Sequence, residues 1–253
     1  MDNRRTFLPV IFTLLVLAGG LGLWEYAAAS GTIDDFFFSR PSLIAQDFLL
    51  LFTDGTAAKH LTVTLEEAGL GFLFGGLLGS ATGILLGRHR AASAAVMPLM
   101  VGLNGLPKLA LAPLLIFWLG IGLGAKVLLA GAMVYFIFSF NLYAGYLAVD
   151  PQLVNTLRLL GGTRGQILCK VIWPACLPWF LTSLRTSVGI AMSGAIVGEY
   201  IGSSKGWGWL INNASGSYQI TRVLSALLVI VLIVIGLDCL IRLLERILLK
   251  WRP

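Results

Sequence analysis

Long apolar stretches alternate with short polar ones along the whole chain, at lengths that fit a bilayer. Apolar runs cover residues 7–29, 61–87, 91–119, 125–147, 174–201 and 220–240. About 20 apolar residues carry a helix across the hydrocarbon core. The pattern therefore predicts an all-α, polytopic membrane protein with about six transmembrane helices. Pro98, Pro107 and Pro113 fall in the third run and predict a kink or break there. Such a break survives in a membrane only where protein or a water-filled cavity satisfies the freed backbone. The most polar stretch, 30–60, separates the first two runs. Its segment 41–52 is apolar-rich but too short to span, and it predicts a helix lying at the interface. The stretch 202–218 is rich in Gly, Ser and Asn and predicts a loop.

Composition strengthens this reading. Hydrophobic residues make up 57% of the 253 and charged residues 12%, with a mean hydropathy of +0.88. Soluble chains carry about 25% charged residues, so half that share cannot cover a water-facing surface. An ordinary soluble enzyme and a disordered chain are both excluded. The net charge of +6 would hint at nucleic acid in a soluble protein, but aromatic and basic residues are scattered, which argues against such a partner. Here positive charge marks one side of a membrane. One side receives Arg4, Arg5, Arg88, Arg90, Arg158, Arg164, Lys170, Arg242, Arg246, Lys250 and Arg252. The other receives Arg40, Lys59, Lys126, Lys205 and Arg222. This bias and the even number of spans both predict cytoplasmic termini and a cytoplasmic 148–173 loop. The first run is too long for a signal-peptide core of about 7–15 residues. An uncleaved first span is the stronger reading, although Ala27-Ala28-Ala29-Ser30 resembles a cleavage site. The expected division is an N-terminal span with its outer loop (1–59), a core (60–245) and a basic tail (246–253).

Glycines mark the close contacts. Gly71, Gly75, Gly79, Gly83 and Gly87 recur every fourth residue and form one bare helical face. Gly194, Gly198 and Gly202 repeat the spacing in the fifth span. Close backbone packing drives helix association in lipid, so each face should press on another helix. Static packing and a sliding contact both fit.

The loop 150–173 carries the densest local signals. Asp150 is a favoured N-cap and Pro151 suits the first helical position. Leu153, Val154, Leu157 and Leu160 form one apolar stripe. Gly161-Gly162 stops the helix, and Thr163 with Gln166 has capping-box spacing for a second one. Pro174 ends the loop and opens the fifth span. The result is a helix–glycine–helix hairpin whose stripe is flanked by Arg158, Arg164 and Lys170. A partner protein with a groove for a helix would explain the stripe. Its folding back on the chain's own spans would explain it equally.

Candidate chemistry is sparse. Cys169, Cys176 and Cys239 show no disulfide or metal spacing and read as packing residues. His60 and His89 lie at opposite ends of one span, no H-E-x-x-H occurs, and Ser193 has no histidine at matching depth. No G-x-x-x-x-G-K-[ST] is present either. Glu199 sits in the fifth span, where a carboxylate should face protein or water. It is a pathway or gate candidate, or a structural partner. Lys108 and Arg185 could attract an anion or snorkel to the headgroups. Asp238, late in the sixth span, is expected to pair locally.

The hairpin resembles the EAA loop of binding-protein-dependent ABC importer permeases, with spacing E-A-A-x3-G-x9-I-x-L-P. Asn155-Thr156-Leu157 stands at the EAA place, Gly161 at the glycine, Val171 at the apolar position and Trp173-Pro174 at the terminal pair. Asn155 replaces the acid and Trp173 the leucine. Gly71-Phe72, Pro98, Pro107, Ala112-Pro113-Leu114, Trp118-Leu119-Gly120-Ile121-Gly122, Glu199 and Gly206-Trp207-Gly208 are similar to the nitrate, sulfonate and taurine branch, over roughly residues 60–251. That branch has an arginine where this chain has Glu67.

The resemblance implies a type I ABC importer permease fold in a bacterial inner membrane, and a small anionic solute such as nitrate, a sulfonate or taurine. It implies two permease copies and a periplasmic or lipid-anchored solute-binding protein. Separate ATPase subunits would bind ATP and Mg, since no cofactor is expected on this chain. Asp150, Leu153, Asn155, Leu157, Arg158, Gly161 and Pro174 would form the ATPase-coupling set. Related permeases carry thiamine precursors or aromatic acids, so a neutral or heterocyclic solute stays open. An ion-coupled secondary transporter using Glu199 and Asp238 is the alternative, and it leaves the hairpin unexplained. A membrane scaffold without transport is a third.

Overall fold

A computed structural model describes residues 3–248 of the chain. Lys250 and Arg252, counted above for orientation, lie outside the described residues. Among the described residues every regular element is helical. Helices α1 (Asn3–Ala29), α2 (Asp35–Phe38) and α3 (Pro41–Thr53) precede α4 (Thr56–Arg88). The expected third span is α5 (Arg90–Gly105), a 3-10 turn (Lys108–Leu111) and α6 (Ala112–Leu119). Then come α7 (Leu123–Leu147), α8 (Pro151–Leu159), α9 (Arg164–Ile167), a π turn (Leu168–Ile172), α10 (Trp173–Ile201), α11 (Trp207–Gly216) and α12 (Ile220–Leu248). Five helical runs are long and apolar enough to cross a membrane, or six if the third, bent by 77°, counts as one broken span.

The three prolines of that broken span act differently. Pro98 sits inside α5 without ending it. Pro107 ends the helix: Leu106 is extended at φ −64°, ψ 137°, because a following proline disfavours the helical region. Pro113 occupies the first turn of α6, where its missing N–H costs nothing.

The expected loop at 202–218 is corrected, since α11 occupies most of it. Trp207, Leu210, Ile211 and Ala214 are buried at positions i, i+3, i+4 and i+7. That apolar face outweighs the weak helix propensity of the glycines, serines and asparagines around it.

The chain forms two compact units. Residues 1–59 and 210–231 make one, and 60–209 with 232–253 make the other. The contacts thus group 210–231 with the N-terminal segment, where the sequence reading had placed them in the core. In the first unit Arg222 binds both carboxylate oxygens of Asp47 (2.8–3.0 Å), and the Ser39 and Thr221 hydroxyls are 2.9 Å apart. Ser225 donates to the Ile44 carbonyl (3.1 Å), and Glu25 accepts from Ser42.

In the second unit α7 lies between two glycine faces. A Cβ on Gly71 would stand 2.6 Å from the Ala130 Cβ. On Gly75, Gly79 and Gly83 it would strike the carbonyls of Gly131, Tyr135 and Ser139 in turn. On Gly194 it would stand 2.7 Å from the Ala130 Cα, and on Gly198 3.0 Å from Lys126. Both ridges therefore press on α7, around a core that includes Val134, Phe138, Leu142, Cys176, Met192 and Ala195. Of the three cysteines only Cys176 packs inside. Cys169 and Cys239 are exposed, which corrects the expectation for those two and follows from their outward helix faces.

Candidate functional site

The hairpin forms where its capping signals put it. The Asp150 side chain accepts the Gln152 N–H at 2.8 Å, and Pro151 opens α8. Gly161 takes φ +79°, which ends α8 in the left-handed region without a Cβ penalty. Thr163 and Gln166 form the reciprocal capping box. From there α9, the π turn and α10 run on as one helix, with Pro174 in the first turn of α10.

The apolar stripe divides in two. Val154 and Leu157 pack against the bundle core. Leu153, Leu159 and Leu160 point away, and Leu159 and Leu160 keep 90% and 77% of their surface. The fold thus contains both halves of the alternative left open by the sequence: one side roots the hairpin and the other is presented outward. Asn155 and Arg158 are exposed. They line a cavity of about 1060 Å³ that lies between the hairpin and the ends of α4 and α7.

A buried polar cluster occupies the far end of α4 and α10. Thr64 donates to Glu199 Oε1 at 2.6 Å and accepts the Trp207 N–H at 3.0 Å. The Gly208 N–H reaches Glu199 Oε2 at 2.7 Å, and the Gly206 N–H reaches His60 Nδ1 at 2.9 Å. The His60 ring stacks on Trp209 with centroids 5.4 Å apart. Gly206 has φ +100°, and a Cβ there would run into the Glu199 carboxyl. Beside this group Lys126 bonds Glu67 at 2.6 Å and Ser203 at 2.9 Å, and the charged pair is almost fully buried.

Glu199 has no exposed surface and both its oxygens are engaged. That geometry is the structural role weighed for it. Lys126, counted above as a loop charge, belongs to this buried cluster instead. Glu67 and Lys126 drew no site reading from the sequence, because 59 residues separate them.

Lys108 and Arg185 are not brought together with Glu199. Lys108 sits just after the break in the third span. Its Nζ donates to the Asn104 carbonyl and side-chain oxygens at 2.8 and 2.9 Å and lies 4.9 Å from the Phe136 ring centre. Arg185 pairs with Asp238 at 3.3 Å, and Asp238 also accepts from Arg242 at 2.7 Å. The local pairing expected of Asp238 is therefore present.

Apolar helices of spanning length, one span broken at a proline and an outward-presented hairpin between two spans mark a polytopic membrane protein. The chain belongs to the family described as "Binding-protein-dependent transport system inner membrane component", which matches residues 71–250. It is thus an ABC importer permease of the multi-pass inner-membrane kind, a transport subunit and not an enzyme.

Its relatives include SsuC of Bacillus subtilis, a permease named for aliphatic sulfonates transport. It is 34% identical over 239 residues, which cover 94% of this chain and 87% of that one. The riboflavin transport system permease protein RibX of Chloroflexus aurantiacus is 30% identical, with 96% and 89% covered. The taurine transport system permease protein TauC of Escherichia coli is 29% identical, with 95% and 88% covered. The sulfonate- and taurine-named relatives fit the branch read from the motifs. The fold is similar to that of the MetNI methionine ABC transporter in an inward-facing conformation, with a TM-score of 0.66 and 19% identity over 74% of this chain and 93% of that one.

Proposed function

We infer that the chain is one of two copies of the membrane subunit of an importer for a small organic anion of the sulfonate or taurine kind. Both termini and the hairpin face the cytoplasm in this reading, and a binding protein delivers the solute from the opposite side. Separate ATPase subunits, which bind ATP and Mg, grip the hairpin through Leu153, Leu159 and Leu160. Asp150, Asn155, Leu157, Arg158, Gly161 and Pro174 hold it in shape or flank the contact. ATPase closure then pulls on α10, because α9, the π turn and α10 form one continuous helix.

The observation that carries this reading is the split stripe. An exposed leucine pair at the tip of a hairpin rooted in the core gains nothing from water and fits a groove on a partner. For the solute, Lys108 supports an anion. It has no carboxylate partner among the described residues, whereas Lys126 and Arg185 are each paired with one. An unpaired cation beside a break in a spanning helix favours a negative ligand.

The test is reconstitution in proteoliposomes with an ATPase subunit and a solute-binding protein from the same organism. The expected result is taurine or alkanesulfonate uptake that needs ATP and survives collapse of ion gradients. Uptake driven by a gradient without ATP would instead establish an ion-coupled carrier. ATP-driven uptake of riboflavin alone would keep the importer and discard the anion.

A further inference from the structure

The cavity lies behind the hairpin, away from the exposed Leu153, Leu159 and Leu160; of the residues assigned above to the coupling set, Asn155 and Arg158 border it. Arg88, His89, Arg158 and Arg164 line it, and no Asp or Glu does. None of these four side chains has a hydrogen bond or ion pair among the described residues. Three arginines therefore line one space of about 1060 Å³ with no acidic residue beside them in the lining. The remaining lining is mainly apolar. Leu85 and Leu168 contribute to it, and both are substantially exposed. The cavity also sits where spans end: Arg88 is the last residue of α4, Tyr146 lies in the last turn of α7, and Trp173 opens α10. Tyrosine and tryptophan at such positions mark the headgroup level.

We propose that this cavity holds the headgroup of an anionic phospholipid, with the guanidinium groups on the phosphate and the acyl chains along Leu85 and Ile84. Basic pockets between helices at the membrane surface suit such headgroups. A water-soluble polyanion would satisfy the arginines but leave the apolar lining against water. The sequence 246–253 holds basic residues and no Asp or Glu, so its side chains offer no counter-charge. An acidic protein surface would meet the hairpin's outer side, whereas the cavity lies on the inner side with Val154. The headgroup would brace the hairpin against α4, so a lipid site here bears on the stiffness of the lever.

The experiment is native mass spectrometry of the detergent-purified permease–ATPase complex after exchange into phosphatidylglycerol or phosphatidylcholine. Wild type should retain phosphatidylglycerol at least on the order of tenfold more than phosphatidylcholine, since a basic pocket at the membrane surface selects anionic headgroups. R88Q/R164Q should lose that preference with an unchanged melting temperature. R88Q alone, at an exposed helix end, should lose part of it. R90Q, which is outside the cavity lining, should keep it.

No preference in wild type, or an equal loss in R90Q, would overturn the site. Displacement of the lipid by millimolar glycerol phosphate would reassign it to soluble phosphate esters. Loss of ATPase recovery in R88Q/R164Q with lipid retention intact would make the cavity a protein contact. Lipid retention is read without measuring uptake, so failure of this site leaves the importer reading intact, and failure of ATP-driven uptake leaves the lipid preference to be read on its own.

Discussion

Thr64 and Glu199 are 135 residues apart in the chain, yet the hydroxyl of one donates to the carboxylate of the other at 2.6 Å. The same hydroxyl accepts the Trp207 N–H, and the same carboxylate accepts the Gly208 N–H. One side-chain pair therefore ties α4 and α10 to the start of α11.

Removing the hydroxyl should destabilise the fold. Thr64→Val keeps the shape but leaves a buried carboxylate oxygen and the Trp207 N–H without their partner. A loss of about 2–4 kcal/mol is expected, since an orphaned buried group costs about 1–3 kcal/mol and a charged one more. Thr64→Ser should lose far less. The check is thermal unfolding in detergent for both variants; equal melting temperatures for Val and Thr would remove the clamp.

The Glu67–Lys126 pair should show strong coupling. Breaking a buried pair on one side costs about 3–5 kcal/mol, whereas replacing both partners with apolar residues can be close to neutral. Glu67→Leu and Lys126→Met should each lower the melting temperature clearly. Glu67→Leu combined with Lys126→Met should recover much of the loss. A double-mutant cycle reads the coupling, and additive losses would argue that the charges act independently.

If the hairpin couples to an ATPase as proposed, substitutions on its two sides should separate folding from coupling. Leu160→Asp should leave the spans intact and reduce recovery of the ATPase at least tenfold, because it places a charge on the outward tip. Val154→Asp should instead lower stability, since that side chain packs on the core. Gly161→Val forces a β-branched residue to φ +79°, a cost of about 1–2 kcal/mol or more. It should weaken the coupling of ATP hydrolysis to uptake. Normal coupled transport in both Leu160→Asp and Gly161→Val would end the lever assignment.

Lys108 should set affinity for charge. Lys108→Gln is expected to raise the KM for a sulfonate about tenfold or more, while Lys108→Arg keeps most of the affinity. Uptake at several solute concentrations gives the comparison. Equal KM values for Gln and Lys would place Lys108 at the headgroups by its charge alone.

A ridge between α4 and α7 this tight should tolerate no side chain. Gly75→Leu would drive into the Gly131 backbone, which has no side chain to move aside. Loss of folded protein after membrane extraction is expected, while Gly19→Leu, with open space around it, should express normally.

The spans, the break at Pro107 and the whole hairpin were legible along the chain. Each depends on signals within a few residues: run length against bilayer thickness, proline without an N–H, an N-cap three residues before its partner. The glycine ridges were legible as faces but not as contacts. A four-residue period says which side of a helix is bare, and nothing in it names α7 as the neighbour of both. The helix α11 was missed although Trp207, Leu210, Ile211 and Ala214 carry its period. Composition was weighed there ahead of spacing.

Glu67, Lys126, Thr64, His60 and Glu199 show the other limit. Hydropathy marks each as costly inside a bundle but cannot choose their partners, because pairing a buried charge is a matter of distance across helices. Chain order fixed where the apolar spans run and where the hairpin turns, since both are local free-energy choices. Only the packing of α4, α7 and α10 decided that Glu199 bonds Thr64 and Gly208, that Lys108 has no carboxylate partner among the described residues, and that the leucine stripe parts into a root and a tip.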